Sequence, residues 1–166
     1  EHHLRYVQDA MWNVVIYKDA SDGYRDYDPV MLQGHLDMVC EAVAGLDFDF
    51  ETQPIETYVD EEGRLRAKGT TLGADDGMGV AQMLAILADD SLKHPPLECV
   101  FTVQEEVGLC GALAMDKSLL HSHRMISLDG GGEVVTGISS AGGIQAVNTI
   151  ACTFQKQSNP CYQLKV

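Results

Sequence analysis

The sequence predicts an α/β domain with a mixed, mainly parallel central sheet and flanking helices on both faces. After Pro29, short apolar runs typical of strands alternate with helical segments, a pattern of open α/β sheets. Residues 97–103 form an almost continuous apolar run, as expected for a buried strand. Residues 77–88 carry apolar side chains at helical spacing, and these should face the core: Val80, Met83, Leu84 and Leu87.

The other predicted elements are short and are bounded by turn residues. A turn at residues 61–63 should join two strands into a hairpin, and the loop at 139–143 should lead into a further domain. Strands are predicted at Leu4–Gln8, Trp12–Tyr17, Val30–Gln33, Glu56–Asp60, Arg64–Ala67, Met125–Leu128, Glu133–Ile138 and Ile144–Phe154, and a second helix at Gly108–Met115.

The composition is that of a globular protein with an acidic surface. Hydrophobic residues make up 45% of the 166 residues, and 25 Asp and Glu against 11 Lys and Arg give a net charge of −14. Such a surface favours cations. It repels nucleic acid and anionic membranes, so nucleic acid and membranes are not expected partners. No apolar run approaches the roughly 20 residues of a membrane span, and no secretory signal opens the chain.

The five cysteines are widely spaced, odd in number and free of any CxxC pair. This pattern argues against a disulfide framework or a zinc ribbon and favours a reducing, cytoplasmic location. A metal in this protein would therefore be held by histidine and carboxylates.

Acidic residues follow several predicted strands or precede the predicted helix. Adjacent carboxylates such as Glu105 and Glu106 repel each other unless a cation or proton intervenes. Each group also has an ordinary explanation: a polar strand exit, a helix N-cap or a solvated turn. One Asp would suffice as an N-cap, so capping leaves the second unexplained. With one histidine among them, the positions that form this set are His35, Asp37, Asp75, Glu105, Glu106 and Asp129; Asp76 lies next to Asp75 and is not part of it.

Taken together, these positions indicate one metal site. The C-terminal ends of parallel strands meet at one edge of a sheet, where α/β proteins place their sites. One histidine with several carboxylates suits zinc, cobalt or manganese. A shared carboxylate can bridge two ions about 3.5–4 Å apart, as in two-metal hydrolases.

Three segments resemble the M20 metallopeptidases, and among these the aminoacyl-histidine (Xaa-His) dipeptidases. They are residues 32–39 (LQGHLDMV), 68–77 (KGTTLGADDG) and 102–108 (TVQEEVG), in the family's order. The resemblance extends from about residue 4 to the last residue. It implies a zinc-exopeptidase-like catalytic domain that hydrolyses small peptides ending in histidine, with two divalent cations and zinc as the first choice.

The resemblance also implies a role for each residue. His35 and Asp129 would bind one metal, Glu106 the other, and Asp75 would bridge both. The catalytic pair would be Asp37, which orients His35, and Glu105, the general base.

Two family features fall outside the match: a further histidine ligand and most of a lid domain. The resemblance implies that residues 1–143 are a partial catalytic domain and that 144–166 begin the lid or dimerisation domain of a parent protein that could be a homodimer. The chain would then be an N-terminal fragment with weak or no turnover. Two alternatives stay open: a non-catalytic metal-binding fragment, or an M20 peptidase or deacylase of other specificity, such as a tripeptidase.

Overall fold

A computed structural model describes residues 3–131, 135–139, 147, 149–153 and 156. Within these residues the chain forms seven strands, two α-helices and one short 3-10 helix. In chain order they are β1 (Arg5–Gln8), β2 (Val14–Lys18), β3 (Val30–His35), β4 (Thr57–Val59), β5 (Leu65–Ala67), α1 (Ala74–Ala88), β6 (Leu97–Thr102), α2 (Cys110–Ala114), the 3-10 helix (Lys117–Leu119) and β7 (Met125–Ser127).

Five strands form the central sheet in the order β1-β2-β6-β3-β7. β1 with β2 and β2 with β6 are antiparallel, whereas β3 runs parallel to both β6 and β7. The predicted mixed sheet is confirmed, and its parallel half consists of β6, β3 and β7. These three strands end at the same edge, which we call the carboxyl edge.

Apolar side chains cover both faces of this sheet. On one face, Met83 and Leu87 of α1 pack against Leu32, Cys99 and Phe101. The other face has a separate cluster, in which three residues that follow α2 pack against four residues of the strands. Its members are Met115, Leu119 and Leu120 with Val15, Tyr17, Met31 and Val100. Helical segments therefore flank the sheet on both sides, as predicted, and β3 and β6, which end at the carboxyl edge, are largely buried between them.

The predicted helix at 77–88 is confirmed, and its start is irregular. The helical assignment begins at Ala74, but the backbone angles of Asp75 and Asp76 are not helical, and the peptide bond between them is cis. Of the four apolar residues expected in the core, Met83 and Leu87 are buried and Val80 is half-buried. The prediction for Leu84 was wrong, because its side chain is 50% exposed.

Of the other predicted elements, some are confirmed, some have shifted bounds and some lie partly outside the described residues. The hairpin is confirmed, with β4 and β5 antiparallel as a separate two-stranded sheet. Each remaining strand up to residue 128 exists with bounds shifted by a few residues, and helix α2 is shorter than predicted. The strand candidates at 133–138 and 144–154 lie partly outside the described residues, and the described positions 135–138 and 149–153 form no strand.

The chain divides into two compact units, Glu1–Val135 and Thr136–Val166. All the elements above belong to the first unit, whereas the described residues of the second form neither helix nor strand. The domain boundary predicted at residues 143 and 144 lies outside the described residues and stays a prediction. Among the helices of the described part, none combines the length and hydrophobicity needed to cross a bilayer.

Candidate metal centre

His35 ends β3 at the carboxyl edge, and its side chain is 1% exposed. Its Nδ1 lies 2.9 Å from the main-chain oxygen of Asp37. A carbonyl oxygen can only accept a hydrogen bond, so this contact assigns the proton of a neutral ring to Nδ1. Nε2 then presents a lone pair, 3.1 Å from Asp75 Oδ1 and 4.0 Å from Asp129 Oδ2.

This arrangement demands positive charge. A lone pair and two carboxylates repel one another unless a proton or a cation lies among them. Burial lowers the pKa of His35, but the contacts with Asp75 and the Asp37 carbonyl outweigh it and raise that pKa above its ordinary value. Burial, followed by the nearby Asp75 carboxylate, raises the pKa of Asp129. Both shifts favour the protonated form of the group.

Two groups of donors share His35. One joins it to Asp75 and Asp129, and the other to Glu105 and Glu106. In each group the potential ligand atoms lie within 4.8 Å of one another. A neutral imidazole with carboxylate oxygens is a donor set that suits zinc and similar divalent ions. The residues present therefore fit the metal that the sequence predicts.

Asp37 holds this site together through two different groups. Its main-chain carbonyl contacts the His35 ring, whereas its nearest carboxylate oxygen is 3.7 Å from Nδ1. The carboxylate accepts hydrogen bonds from the main-chain N–H groups of Glu105 (3.0 Å) and Glu106 (3.1 Å). Asp37 thus joins the loop after β3 to the loop after β6.

Glu105 and Glu106 differ in their surroundings although they are neighbours. Glu105 is half-buried, and Glu106 is exposed. Burial raises the pKa of Glu105; His35 opposes this effect, and the carboxylates of Asp129, Glu106 and Asp37 add to it. A carboxylate with a raised pKa is a stronger base than an ordinary glutamate, which suits proton transfer near neutral pH.

Two further residues of this region were not given a role by the sequence. Asn13 is buried; its amide donates to the Gly111 carbonyl, and its oxygen accepts from the Val103 N–H. It therefore holds both ends of the loop that carries Glu105 and Glu106. Only its position between two apolar runs hinted at this, and such a hint is too common to be specific.

Asp76 is the second residue whose role the sequence left open. It is 4% exposed, and burial, followed by the charge of Asp129, raises its pKa. Its carboxylate accepts from the N–H of Gly79, three residues on, as an N-cap does. Asp76 thus caps the regular part of α1 and leaves Asp75 to face the candidate metal site.

Two open depressions flank Asp75. The first has a volume of about 320 Å³ and is lined by Met38, Val39, Thr71, Leu72, Gly73, Ala74, Asp75 and Glu106. The second, of about 390 Å³, is lined by Ala74, Asp75, Asp76, Met78, Leu128, Asp129, Gly130 and Gly131. A larger apolar groove of about 570 Å³ lies between β1, β2 and α1, but none of the donor residues lines it. The depressions beside Asp75 are therefore the better candidates for a substrate.

The sequence model of Peptidase family M20/M25/M40 matches residues 31–155, a span that contains every candidate donor. The chain belongs to this family. The M20 match agrees with the fold, since the chain aligns with the crystal structure of aminoacylhistidine dipeptidase from Vibrio alginolyticus at a TM-score of 0.74. The two are 39% identical, and the alignment covers 78% of this chain and 26% of that one.

Other M20-like relatives include the cytosol non-specific dipeptidase of Escherichia coli, 39% identical over 86% of this chain and 29% of the relative. A tripeptidase structure from Staphylococcus aureus aligns at a TM-score of 0.64 with 26% identity, over 80% of this chain and 35% of that one. The chain thus spans about a quarter to a third of the length of these proteins.

Proposed function

We propose that this chain carries a metal-binding part of a dipeptidase that hydrolyses aminoacyl-histidine peptides. The observation that carries the proposal is the meeting of His35 Nε2 with Asp75 and Asp129, with Glu105 and Glu106 at the same edge. Identities of 39% to an aminoacylhistidine dipeptidase and 39% to a non-specific dipeptidase support dipeptide hydrolysis, and the preference for histidine rests on the first of these relatives. The products would be an amino acid and histidine.

The proposed site takes two divalent cations, with zinc preferred over cobalt or manganese. His35 and Asp129 would hold the first ion, Glu106 the second, and Asp75 both. Bound ions of this kind lower the pKa of a water molecule and polarise a peptide carbonyl. The donor group of His35, Asp75 and Asp129 supports the roles at the first ion, and Glu106 belongs to the other donor group, with His35 and Glu105.

Glu105 is the proposed general base. Its carboxylate would take a proton from the attacking water and deliver it to the departing amine. Its raised pKa, caused first by burial, favours this acceptance of a proton. Asp37 would support the reaction by holding the Glu105 N–H and the His35 ring.

The remaining proposals concern the longer protein. Residues 1–143 would be part of its catalytic domain and 144–166 the start of its lid, with a homodimer as the assembly. The dispersed cysteines support a cytoplasmic location, and the E. coli relative is named as a cytosol enzyme. Its partners would be small peptides rather than nucleic acid or membranes.

Two other functions compete with this one. A tripeptidase is favoured by the structural likeness to one, at the lower identity of 26%. A non-catalytic metal-binding fragment is favoured by the exposure of the site, since the Asp75 side chain is 75% exposed. Water exclusion contributes strongly to peptide hydrolysis, and the described residues supply little of it around Asp75.

Calorimetric titration with zinc or cobalt tests the metal site directly. The wild-type chain should bind, and Asp75→Ala should bind far more weakly because both proposed ions lose a ligand. Asp22→Ala is the matched control, as it removes an exposed carboxylate that pairs only with Arg25 among the described residues. Equal binding by wild type and Asp75→Ala would contradict the role of Asp75.

Assays of the longer protein test the reaction. Carnosine and a tripeptide, each with added zinc, cobalt or manganese, separate the two peptidase candidates. Glu105→Gln should keep metal affinity and lose turnover, and a variant that retains most of its kcat would show that another group is the base. The 166 residues alone should fall below about 1 turnover per second, the low end of ordinary enzymes.

A further inference from the structure

Asp76 is buried at the start of α1, directly beneath the candidate metal centre. Both of its carboxylate oxygens accept hydrogen bonds from main-chain N–H groups. His35 donates to Oδ2 at 3.2 Å, and Gly79 donates to Oδ1 at 3.2 Å. The side chain therefore ties the end of β3 to the first turn of α1.

The space around this carboxylate is closed by two glycines. A Cβ at Gly34 would collide with Asp76 Oδ2 and would lie 3.0 Å from Met83 Cε. A Cβ at Gly79 would collide with both oxygens of the same carboxylate. Because Gly34 and Gly79 have no side chain, α1 approaches β3 closely enough for Asp76 to reach the His35 N–H.

Asp76 connects two residues that face each other in the site, one through a hydrogen bond and the other through the chain. Asp75 precedes Asp76 in the chain, and His35 donates to it, so a single residue links the two. The atoms that meet above it, His35 Nε2 and Asp75 Oδ1, are 3.1 Å apart. We propose that Asp76 is a positioning residue, which sets the separation and orientation of His35 and Asp75.

This inference deepens the proposed function, because it gives the pair of donors a supporting residue. A purely structural cap would affect stability alone. A positioning residue must also affect the His35 ring and the affinity for a metal. The two possibilities are therefore separable by experiment.

The variants follow from the geometry. Asp76→Asn keeps the size of the side chain but turns one acceptor into a donor that faces an N–H group. Gly79→Ala keeps Asp76 and pushes its carboxylate away, while alanine favours the helix. Gly77→Ala is the matched control, because a Cβ there meets no atom within 4 Å.

Nuclear magnetic resonance of the metal-free chain, with ¹⁵N-labelled histidine, gives the first readout. The wild type should show the Nδ1 of His35 protonated, because this atom contacts the Asp37 carbonyl. Asp76→Asn and Gly79→Ala should shift or broaden the His35 ring signals, and Gly77→Ala should leave them in place. Unchanged His35 signals in both test variants would overturn the proposal, whatever happens to the melting temperature.

Titration with Co²⁺ gives the second readout, through its visible absorption and its affinity. The two test variants should bind Co²⁺ about 10- to 100-fold more weakly than wild type, with an altered spectrum, as expected for residues that orient ligands. Gly77→Ala should match wild type. Test variants with wild-type affinity and spectrum would also overturn the proposal. If wild type itself failed to bind Co²⁺, the proposed function would fall, and the ring signals of His35 would still decide the role of Asp76.

Discussion

At the scale of single residues, adjacent acidic residues differ in how deeply they are buried. Asp75 is 75% exposed and faces the donors, whereas Asp76 is 4% exposed and faces the main chain. Glu105 and Glu106 divide in the same way, the first half-buried and the second exposed. An acidic pair can therefore place one carboxylate in the open site and the other in a more buried position. Composition alone does not say which is which.

Burial also determines the reactivity of the cysteines. Cys99 is fully buried in β6, and burial raises the pKa of its thiol to about 11. Cys40 is exposed on the loop after β3. Since the thiolate is the reactive form, iodoacetamide at pH 8 should label Cys40 in minutes and leave Cys99 unmodified in the folded chain.

Peptide mapping by mass spectrometry measures this labelling. Unfolding in urea serves as the control, because Cys99 should then react at a rate similar to that of Cys40. Rapid labelling of Cys99 without denaturant would show that β6 is not buried as described.

At the scale of elements, α1 contacts the sheet through a narrow stripe. Met83 is completely buried, whereas the next residue, Leu84, is half exposed beside the open groove near β1. Met83→Ala should lower the free energy of unfolding by about 2–5 kcal/mol, since it leaves a cavity. Leu84→Ala should cost about 1 kcal/mol or less, because its side chain already contacts water. Urea denaturation followed by circular dichroism compares them, and equal losses would contradict the orientation of α1.

The same helix shows how far the sequence could predict the fold. Apolar spacing located α1 and its apolar side, but it could not say which residue of that side lies at the centre of the contact. Leu84 fits the spacing as well as Leu87 does; only the position of β3 against α1 separates them. Strand bounds shifted for a similar reason, because hydrogen bonding to a neighbour decides where a strand ends.

The sequence could predict which residues belong to the candidate site, but not the hydrogen bonds that hold them in place. Acidic residues after strands or before the helix, and a histidine among them, included the groups whose potential ligand atoms lie together in the described part of the chain, and their roles stay predictions. The supporting bonds of Asn13, Asp37 and Asp76 join segments far apart in the chain. No local pattern encodes them, since each depends on which main-chain N–H group the folded sheet brings within reach.

At the scale of the whole molecule, the net charge of −14 should make folding sensitive to salt. Repulsion among carboxylates opposes compaction, and dissolved ions screen it. Raising NaCl from 10 to 300 mM at pH 7.5 should therefore increase Tm by several degrees. The increase should shrink near the sequence pI of about 4.5, where the net charge approaches zero.

Differential scanning calorimetry at both pH values makes this comparison, with the shift at the lower pH as the internal control. A Tm that falls with added salt at pH 7.5 would show that favourable ion pairs outweigh the repulsion. The ion pairs of the described residues are mostly exposed, which argues for the opposite sign.

The pairing of β3 with β6 has a consequence for how the protein comes to hold a metal. Asp37 and the Glu105 amide that it accepts are 68 residues apart in the chain, and His35 and Asp75 are 40 apart. Closing such long loops is an entropic cost met before donors from separate segments come together. A zinc ion offered to the unfolded chain meets scattered ligands and cannot act as a nucleus for folding. We therefore expect zinc to slow unfolding and to leave the refolding rate unchanged, because the ion would bind only after the structure has formed.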